Sequence, residues 1–282
     1  MKGEIENIQS SAEVALRALK EPLWSILPNL KWSIGNAKTD EQQFLDKFTS
    51  YLESKGLAFP QRVIHAFHTS LKVQDISALV VLAGISGTGK SELPQRYADY
   101  TGAQLLTLAV QPRWDSPQDL QGFYNYVEKK FKPTDLMRGL YQYNHDNAMN
   151  DRIVIVLLDE MNLARVEYYF SDFLSKLESR RSRPTHLEIE VGSLPLKDND
   201  RRLKIPNQFL FVGTMNEDET TQTLSDKVLD RANVITFGKP EKLRSRQEQN
   251  YNSMRPSGYL AYSDFSKWTI KPDPDSEVVQ KV

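Results

Sequence analysis

The sequence predicts an α/β fold in which helices cover both faces of a parallel five-stranded sheet. A β-hairpin is inserted into this core, and a helical N-terminal region precedes it. Apolar residues recur at helical spacing up to about residue 75. Beyond that point, short apolar runs alternate with helical stretches. Each run is continuous rather than alternating, which is typical of strands buried on both faces of a parallel sheet.

Residues 1–75 contain two amphipathic segments. They read "EQQFLDKFTSYLESKGL" and "FPQRVIHAFHTSLKV", and Gly56 and Pro60 separate them. His65 and His68 lie three residues apart on the second segment, a spacing that can bind a metal. No carboxylate or cysteine cluster accompanies them, so a packed or exposed helix face is the better interpretation.

The five predicted strands are "ALVVLAG", "AQLLTLAV", "RIVIVLLDE", "QFLFVGTMN" and "NVITFG". Between the third and the fourth lies "HLEIEVGSLPLKDNDRRLKIP", whose alternating first part and turn residues predict the hairpin. The chain then becomes polar, and its end is too short to build a core of its own. We therefore divide the chain into a helical region (1–75), an α/β core (76–238) and a C-terminal segment (239–282).

Composition excludes several classes of protein. Lys and Arg number 36 against 37 Asp and Glu, which excludes a uniformly basic nucleic-acid-binding surface but not a local basic patch. The absence of cysteine excludes disulfides and cysteine-ligated metal centres. The longest apolar runs are too short to span a bilayer, and the first twenty residues lack the apolar segment of a signal peptide. We expect a soluble, cytoplasmic protein without a membrane partner.

The stretch "GISGTGKS" lies between the first strand and a predicted helix and matches the phosphate-binding pattern G-x-x-x-x-G-K-[ST]. Its glycines let backbone N–H groups turn towards phosphate oxygens, while Lys90 would reach the β- and γ-phosphates and Ser91 would ligate Mg²⁺. By chance the pattern arises in about one chain in a hundred of this length. The predicted phosphate-binding residues are Gly84, Ser86, Gly87, Thr88, Gly89, Lys90 and Ser91.

Two further strands end in polar residues. The third ends in Asp159 and Glu160, of which Asp159 would hold Mg²⁺ through its water shell and Glu160 would deprotonate the attacking water. An ordinary acidic strand end is the alternative. The fourth strand ends in Asn216, whose amide could bind the γ-phosphate and the attacking water. Without the other two motifs, Asn216 would be interpreted as an asparagine of a turn.

Together these motifs resemble the AAA+ ATPases, and most closely the McrB-type branch, the motor subunits of modification-dependent (type IV) restriction systems. The resemblance lies in "GISGTGKS", "LLDEMNLARVEYYFSDFLSKLES", the insertion before "IPNQFLFVGTMN", and "LSDKVLDRANVITF". It covers about residues 75–240 and implies that residues 76–238 are an AAA+ P-loop ATPase core. MoxR-type chaperone ATPases share much of the pattern.

The resemblance implies roles for several segments. Asn216 matches sensor 1, and the hairpin resembles the pre-sensor-1 insertion. The stretch "AVQPRWDSPQDLQGFYN" occupies the place of the helix-2 insertion, which faces the central pore. Arg231 matches the arginine finger, which acts on the γ-phosphate of a neighbouring subunit. The alternative for Arg231 is an arginine that interacts with the C-terminal end of its own helix.

The sequence also departs from the McrB-type pattern. After Asn216, "NEDETTQT" replaces the Thr-Ala-Asp run of the GTP-using members, so ATP is the default and GTP remains possible. The finger carries one arginine where related chains often carry two or three. The C-terminal segment reads as the start of a lid or a linker, and we expect the chain to be a fragment. Its arginines, Arg244, Arg246 and Arg255, include no assignable sensor 2.

We therefore expect a Mg²⁺-dependent nucleoside triphosphatase that is active as a ring, most readily a hexamer. Its expected work is DNA translocation or remodelling for a restriction or anti-phage nuclease or effector subunit, with DNA held by the partner or the pore. A MoxR-like chaperone acting on a protein client is the alternative. A third reading, a non-cycling nucleotide switch, is disfavoured by Glu160. Basic clusters in "ESRRSRP", "DNDRRLK" and "YVEKKFKP" could contact phosphate or be solvated charges.

Overall fold

The computed structural model describes residues 2–26, 37–192, 194, 196–217, 222–238 and 258–269. The helices are α1 (Lys2–Lys20), α2 (Ala37–Ser54), α3 (Gln61–Lys72), α4 (Glu92–Thr101), α5 (Pro117–Gln121), α6 (Asp135–His145), α7 (Val166–Tyr169), α8 (Ser171–Ser179), α9 (Asp198–Arg201), α10 (Asp226–Leu229) and α11 (Tyr262–Phe265). Short 3-10 helices lie at Asn147–Met149, Met161–Leu163 and Ser266–Trp268. The strands are β1 (Leu79–Gly84), β2 (Gln104–Ala109), β3 (Gly122–Asn125), β4 (Lys130–Pro133), β5 (Val154–Asp159), β6 (His186–Glu188), β7 (Arg202–Lys204), β8 (Phe209–Asn216) and β9 (Ala232–Phe237).

The five predicted strands form one parallel sheet in the order β2–β5–β8–β1–β9. All six residues of β1 and the first five of β5 are buried, as expected for strands covered on both faces. The predicted α/β fold class is confirmed. Because β5, β8 and β1 are neighbours, three segments that are far apart in the sequence end side by side at the carboxyl edge of the sheet.

The sheet separates two hydrophobic cores, and successive residues of β1 contribute to opposite ones. Leu79 and Val81 belong to the core that also contains α1, α6 and α8. Val80 and Leu82 belong to the core that also contains α2, α3 and α4. This alternation is the period-two geometry of a strand between two layers. The fold therefore has three layers, with the sheet in the middle.

The N-terminal helices are part of these cores. Leu16 of α1 lies in the first core, and Phe48 of α2 and Phe67 of α3 lie in the second, all fully buried. The helices of residues 1–75 thus pack on both faces of the sheet. The division at residue 75 stays a prediction, and the helices before it share both cores with the sheet.

His68 is held in the second core by hydrogen bonds. Its Nδ1 lies 2.7 Å from the Tyr97 hydroxyl and its Nε2 lies 3.0 Å from Glu41 Oε1. Burial lowers the pKa of His68, while its bond to Glu41 acts in the opposite direction. Both ring nitrogens are engaged with protein groups, which agrees with a packed helix face rather than a metal site.

Two antiparallel hairpins pack against the first core, which includes Phe131, Leu187 and Leu203, and the sequence predicts one of them. The predicted hairpin pairs β6 with β7 through Leu187 and Leu203. The second pairs β3 with β4 and is built from the end of the expected helix-2 insertion and the basic–aromatic stretch that follows it. A Cβ atom at Gly192 would lie 3.2 Å from the Tyr126 ring, so the two hairpins adjoin each other.

The described part of the C-terminal segment packs at the amino ends of the strands. Leu260, Phe265 and Trp268 are buried in the second core, and the Leu260 N–H donates to the Thr101 carbonyl at 2.7 Å. The possible sensor-2 residues, Arg244, Arg246 and Arg255, lie outside the described residues. Within the described ranges, no helix is long and apolar enough to cross a bilayer.

The packing of α1 can be tested by truncating one buried side chain. Leu16→Ala should lower the free energy of unfolding by about 2–5 kcal/mol, because it removes apolar contacts and leaves a cavity. Arg17→Ala, next to it on the exposed face of α1, should change the value by less than about 0.5 kcal/mol. Urea unfolding of the full chain measures both. An unchanged midpoint for Leu16→Ala would mean that α1 is an appendage.

Candidate active site

The polar ends of β1, β5 and β8 meet at the carboxyl edge of the sheet. Gly84 at the end of β1 is paired with Asn216 at the end of β8, and β8 lies directly beside β5. An open cleft of about 520 Å³ lies at this edge. It is lined by Gly56, Leu57, Ser86, Gly87, Gly89, Lys90, Ser91, Glu92, Asp159, Glu160, Thr214 and Asn216. The structure thus brings all three predicted motifs into one cleft.

The loop after β1 has the backbone of a phosphate cradle. Gly84, Gly87 and Gly89 have φ values of 147°, 79° and 88°, which residues with a side chain rarely adopt. A Cβ atom at Gly84 would also lie 2.7 Å from the Phe237 carbonyl oxygen, so β9 approaches too closely for any other residue. Helix α4 begins directly after the loop at Glu92. The positive end of its dipole favours an anion at this position.

Lys90 is buried at the loop despite its charge. It is 6% exposed, and its Nζ donates to the carbonyl oxygens of Gly84 at 2.9 Å and Ile85 at 2.6 Å. A buried ammonium group needs such partners, because desolvation without them is costly. These contacts hold the positive charge within the loop whose N–H groups would receive phosphate.

Ser91, Asp159 and Thr214 form a compact group of oxygen atoms. Asp159 Oδ1 accepts hydrogen bonds from the Ser91 hydroxyl at 2.6 Å and the Thr214 hydroxyl at 2.7 Å. Hydroxyl and carboxylate oxygens are the donors that Mg²⁺ prefers, so Ser91 and Asp159 fit the predicted metal role. Among the described residues, no cluster of three or more His, Asp or Glu could hold a metal ion. A cation here would depend on phosphate oxygens and water as well.

Glu160 is held in an unusual backbone conformation. Its φ and ψ of 52° and 47° lie in the left-handed region, which costs about 1–3 kcal/mol for a residue with a side chain. The Glu160 N–H donates to the Thr214 hydroxyl at 2.9 Å, and Asn216 Nδ2 donates to Glu160 Oε1 at 3.1 Å. The carboxylate is therefore fixed from two sides, by its own backbone and by the Asn216 amide.

The sequence did not predict several residues of the cleft. Thr214 joins Asp159 to the Glu160 backbone, and only its place near the end of β8 could have indicated this. Gly56 and Leu57 come from the loop between α2 and α3 and line the cleft. The Phe59 ring lies over the phosphate loop, since a Cβ atom at Gly89 would be 2.8 Å from it. The N-terminal region therefore forms one wall of the cleft.

Arg231 lies away from this cleft, between α10 and β9. Its Nη1 donates to the Lys227 carbonyl at 2.7 Å, and its Nε lies 2.7 Å from Glu178 Oε1. The first contact is made with a C-terminal carbonyl of α10 and matches the alternative role of interaction with its own helix. Ala232, the next residue, is paired with Leu79 at the start of β1, so Arg231 lies at the amino edge of the sheet.

A phosphate loop, an acidic strand end and a polar strand end at one edge of a parallel sheet have the arrangement of a nucleotide site in a P-loop protein. Residues 79–232, more than half of the chain, match the AAA domain (dynein-related subfamily), and the chain belongs to this family. Proteins of this family bind nucleotide. The match names the dynein-related subfamily and does not distinguish the McrB-type from the MoxR-type branch.

One solved structure to which the fold is similar is a "putative ATPase" from Cytophaga hutchinsonii ATCC 33406. The two are 17% identical with a TM-score of 0.47, and the match covers 82% of this chain. The chain spans 65% of the length of that protein. No curated protein matches the sequence.

Thr214 provides a test of how the site is held. Thr214→Val should lower the rate of nucleotide hydrolysis by about 10–100-fold, because it keeps the shape but takes the Thr214 hydroxyl from Asp159 Oδ1, which keeps its bond from Ser91, and from the Glu160 N–H. Thr214→Ser keeps the hydroxyl and should stay close to the wild-type rate. Steady-state phosphate release measures both variants. Equal rates for the valine and serine variants would show that the hydroxyl does not organise the site.

Proposed function

We propose that this protein hydrolyses the β–γ bond of a nucleoside triphosphate and works as a ring of identical subunits. The observation that carries the proposal is the convergence of Lys90, Ser91, Asp159, Glu160 and Asn216 on one cleft. Each has the chemistry that one part of phosphoryl transfer to water requires.

The phosphate loop and Lys90 would bind the substrate. Backbone N–H groups of the loop would face the phosphate oxygens. Lys90 would exchange its two carbonyl partners for the β- and γ-phosphates, which is a favourable exchange because a charged acceptor forms the stronger hydrogen bond. Mg²⁺ held by Ser91 and Asp159 would neutralise the phosphate charge that develops as the bond breaks.

Glu160 would act as the general base and take a proton from the attacking water. The hydrogen bond from Asn216 to its carboxylate keeps this group at the mouth of the cleft, beside the phosphate loop. Asn216 can also present its amide to the γ-phosphate and the water, as the sequence suggests. ATP is the proposed substrate, since the run typical of GTP-using relatives is replaced after Asn216; residues 218–221 of that run lie outside the described residues.

The position of Arg231 supports action across a subunit interface. Arg231 precedes β9 at the amino edge of the sheet, and the phosphate loop follows β1 at the carboxyl edge. The six residues of β1 separate these edges by about 17 Å, more than an arginine side chain spans. Arg231 could therefore reach only the γ-phosphate bound by another copy. In this proposal Glu178 keeps the guanidinium oriented until a neighbouring subunit docks.

We further propose that the ring moves or remodels DNA for a McrBC-like nuclease partner in a restriction or anti-phage system. Support comes from the β3–β4 hairpin, whose connection carries Tyr126, 73% exposed, and Lys129, followed by Lys130 at the start of β4. Exposed aromatic rings beside lysines suit a nucleic-acid strand, because rings stack on bases and lysines attract phosphates.

The same hairpin favours a second candidate, a MoxR-like ATPase that remodels a protein client. Val127 in the β3–β4 connection is 93% exposed, and Phe123 in β3 is half exposed. Exposed apolar side chains grouped on one projection are typical of a surface that contacts another protein.

The arginine in trans can be tested by mixing two inactive variants. Glu160→Gln should lower hydrolysis by about 10²–10⁴-fold while nucleotide binding persists, because only the base is lost. Arg231→Ala should lower it by about 10³–10⁵-fold. Mixed rings should regain activity, since an Arg231→Ala subunit keeps its own Glu160 and can receive an arginine from a Glu160→Gln neighbour. Phosphate release from each variant and from the mixture measures this.

A mixture as inactive as its components would exclude a shared site. An Arg231→Ala variant with the wild-type rate would leave the arginine only its contact with α10. Arg201→Ala, which removes an exposed arginine outside the cleft, is the matched control. Mixing it with wild-type protein should leave the rate of phosphate release unchanged.

The two candidate functions predict different stimulators of hydrolysis. If the ring acts on DNA, added DNA should raise the rate of phosphate release, and replacing Lys129 and Lys130 by alanine should weaken the effect and its salt dependence. If it acts on a protein, DNA should have no effect, and an unfolded protein should raise the rate in a manner that depends on Tyr126 and Val127. Stimulation that survives both pairs of substitutions would exclude the hairpin as the contact.

A further inference from the structure

Asn162 is a buried polar side chain to which the proposed function gives no role. It lies in the 3-10 helix Met161–Leu163, two residues after Glu160, and is 1% exposed. The structure assigns it a positioning role: its amide fixes the backbone of Asn216 so that the Asn216 side chain meets the Glu160 carboxylate. The inference rests on the proposed function, because it concerns how the same site is held together.

The Asn162 amide pairs with Asn216 in both directions. Asn162 Nδ2 donates to the Asn216 carbonyl at 2.9 Å, and Asn162 Oδ1 accepts from the Asn216 N–H at 3.3 Å. The N–H donor and the oxygen acceptor of the Asn162 amide thus pair with the backbone carbonyl and the backbone N–H of Asn216. This is the pairing that a neighbouring strand would provide.

A neighbouring strand is missing at this point. The pairing of β5 with β8 ends at Leu158 and Gly213, three residues before Asn216. On the other side, β1 still pairs with Asn216 through Gly84. Asn162 therefore replaces β5 at the end of β8, and it holds the Asn216 backbone where the sheet alone would leave it half unsupported.

This support determines where the Asn216 side chain points. Asn216 Nδ2 donates to Glu160 Oε1 at 3.1 Å. Glu160 and Asn162 are joined by a tight turn in which the Leu163 N–H donates to the Glu160 carbonyl at 3.0 Å. One short turn thus supplies the carboxylate and also fixes the residue that contacts it, so the distance between base and amide is set locally.

Asn162 also holds the chain that leads to Arg231. Its Nδ2 lies 3.2 Å from the Gln222 carbonyl, and the Gln222 N–H donates to the Asn162 carbonyl at 3.0 Å. Gln222 precedes α10, and Arg231 follows that helix. The same residue therefore ties together the segments that carry the base, the amide and the proposed trans-acting arginine.

A purely structural role is the alternative, and the protein contains a matched control for it. Gln74 is 2% exposed, and its amide pairs in the same way with Phe211 near the opposite end of β8, with both bonds at 2.8 Å. Removing either amide takes two backbone hydrogen bonds from the same strand. Only Asn162 is next to Glu160 and Asn216, so only its loss should affect the chemistry directly.

The test compares Asn162→Ala with Gln74→Ala in the full chain. Both should lower the midpoint of thermal unfolding. Asn162→Ala should lower kcat by about 10–100-fold with nearly unchanged nucleotide affinity, because a small displacement of a catalytic group is enough to slow the reaction. Gln74→Ala should keep kcat near wild type. Asn162→Asp keeps the shape of the side chain but loses the N–H donor, so it should also lower kcat. This variant replaces Asn162→Ala in the test if the alanine variant does not fold.

A double variant separates positioning from direct action. If Asn162 acts through Asn216, the variant with both residues replaced by alanine should be no slower than Asn216→Ala alone. If the fold-losses in kcat of the two single variants multiply in the double variant, Asn162 acts independently of Asn216, and the inference is overturned. A kcat for Asn162→Ala no lower than that of Gln74→Ala would overturn it as well.

Amide hydrogen exchange tests the inference without turnover. Asn162→Ala should reduce protection of the Asn216 amide and leave that of Phe211 unchanged, and Gln74→Ala should do the reverse. If the wild-type protein hydrolyses no nucleotide, or Glu160→Gln leaves the rate unchanged, the proposed function fails. Hydrogen exchange then decides by itself whether Asn162 positions the Asn216 backbone. An Asn216 amide equally protected in Asn162→Ala would overturn the positioning role.

Discussion

The structure depends on the placement of β8 between β5 and β1. Only this order brings the phosphate loop, the acidic end of β5 and Asn216 to one edge, although the chain places them more than fifty residues apart. Helices on both faces make the placement possible, because the strands can then be apolar along their whole length and hold their register by packing. The ligand crevice of an open α/β sheet lies beyond the carboxyl ends of its strands, and the cleft described above is in that position.

Buried polar side chains complete what the sheet leaves unfinished around β8. Gln74 supports the strand near its beginning, Asn162 supports it at its end, and Thr214 connects it sideways to Asp159 and the Glu160 backbone. Each group is nearly or fully satisfied, which is the condition under which a buried polar network orders a core instead of weakening it. The strained backbone of Glu160 persists within this network, since the surrounding hydrogen bonds determine its conformation from several sides.

Local chemistry made the phosphate loop, the five strands and the acidic end of β5 predictable, because each is encoded by neighbouring residues. The meeting of Asn216 with Glu160 could be anticipated, since both end strands of one parallel sheet. Other features depend on contacts between distant segments and left no local signal. The Asn162 and Thr214 bonds join residues 54 to 60 apart, and the Phe59 contact with the loop arises only when α2 and α3 pack. The β3–β4 hairpin escaped prediction because "GFYN" of β3 does not alternate and the four residues of β4 are too few to establish a period.

The distance between Arg231 and its own phosphate loop has a genetic consequence. On the proposed role, a change at this position leaves the nucleotide cleft of its own chain chemically complete and damages only the cleft of the next chain around the ring. An altered copy made in the same cell would enter rings with normal copies. Each altered copy would then inactivate the nucleotide cleft of one normal neighbour. Such an allele would be dominant, whereas one that prevents folding would only reduce the number of rings. The inheritance of a defect would thus reveal which edge of the sheet it affects.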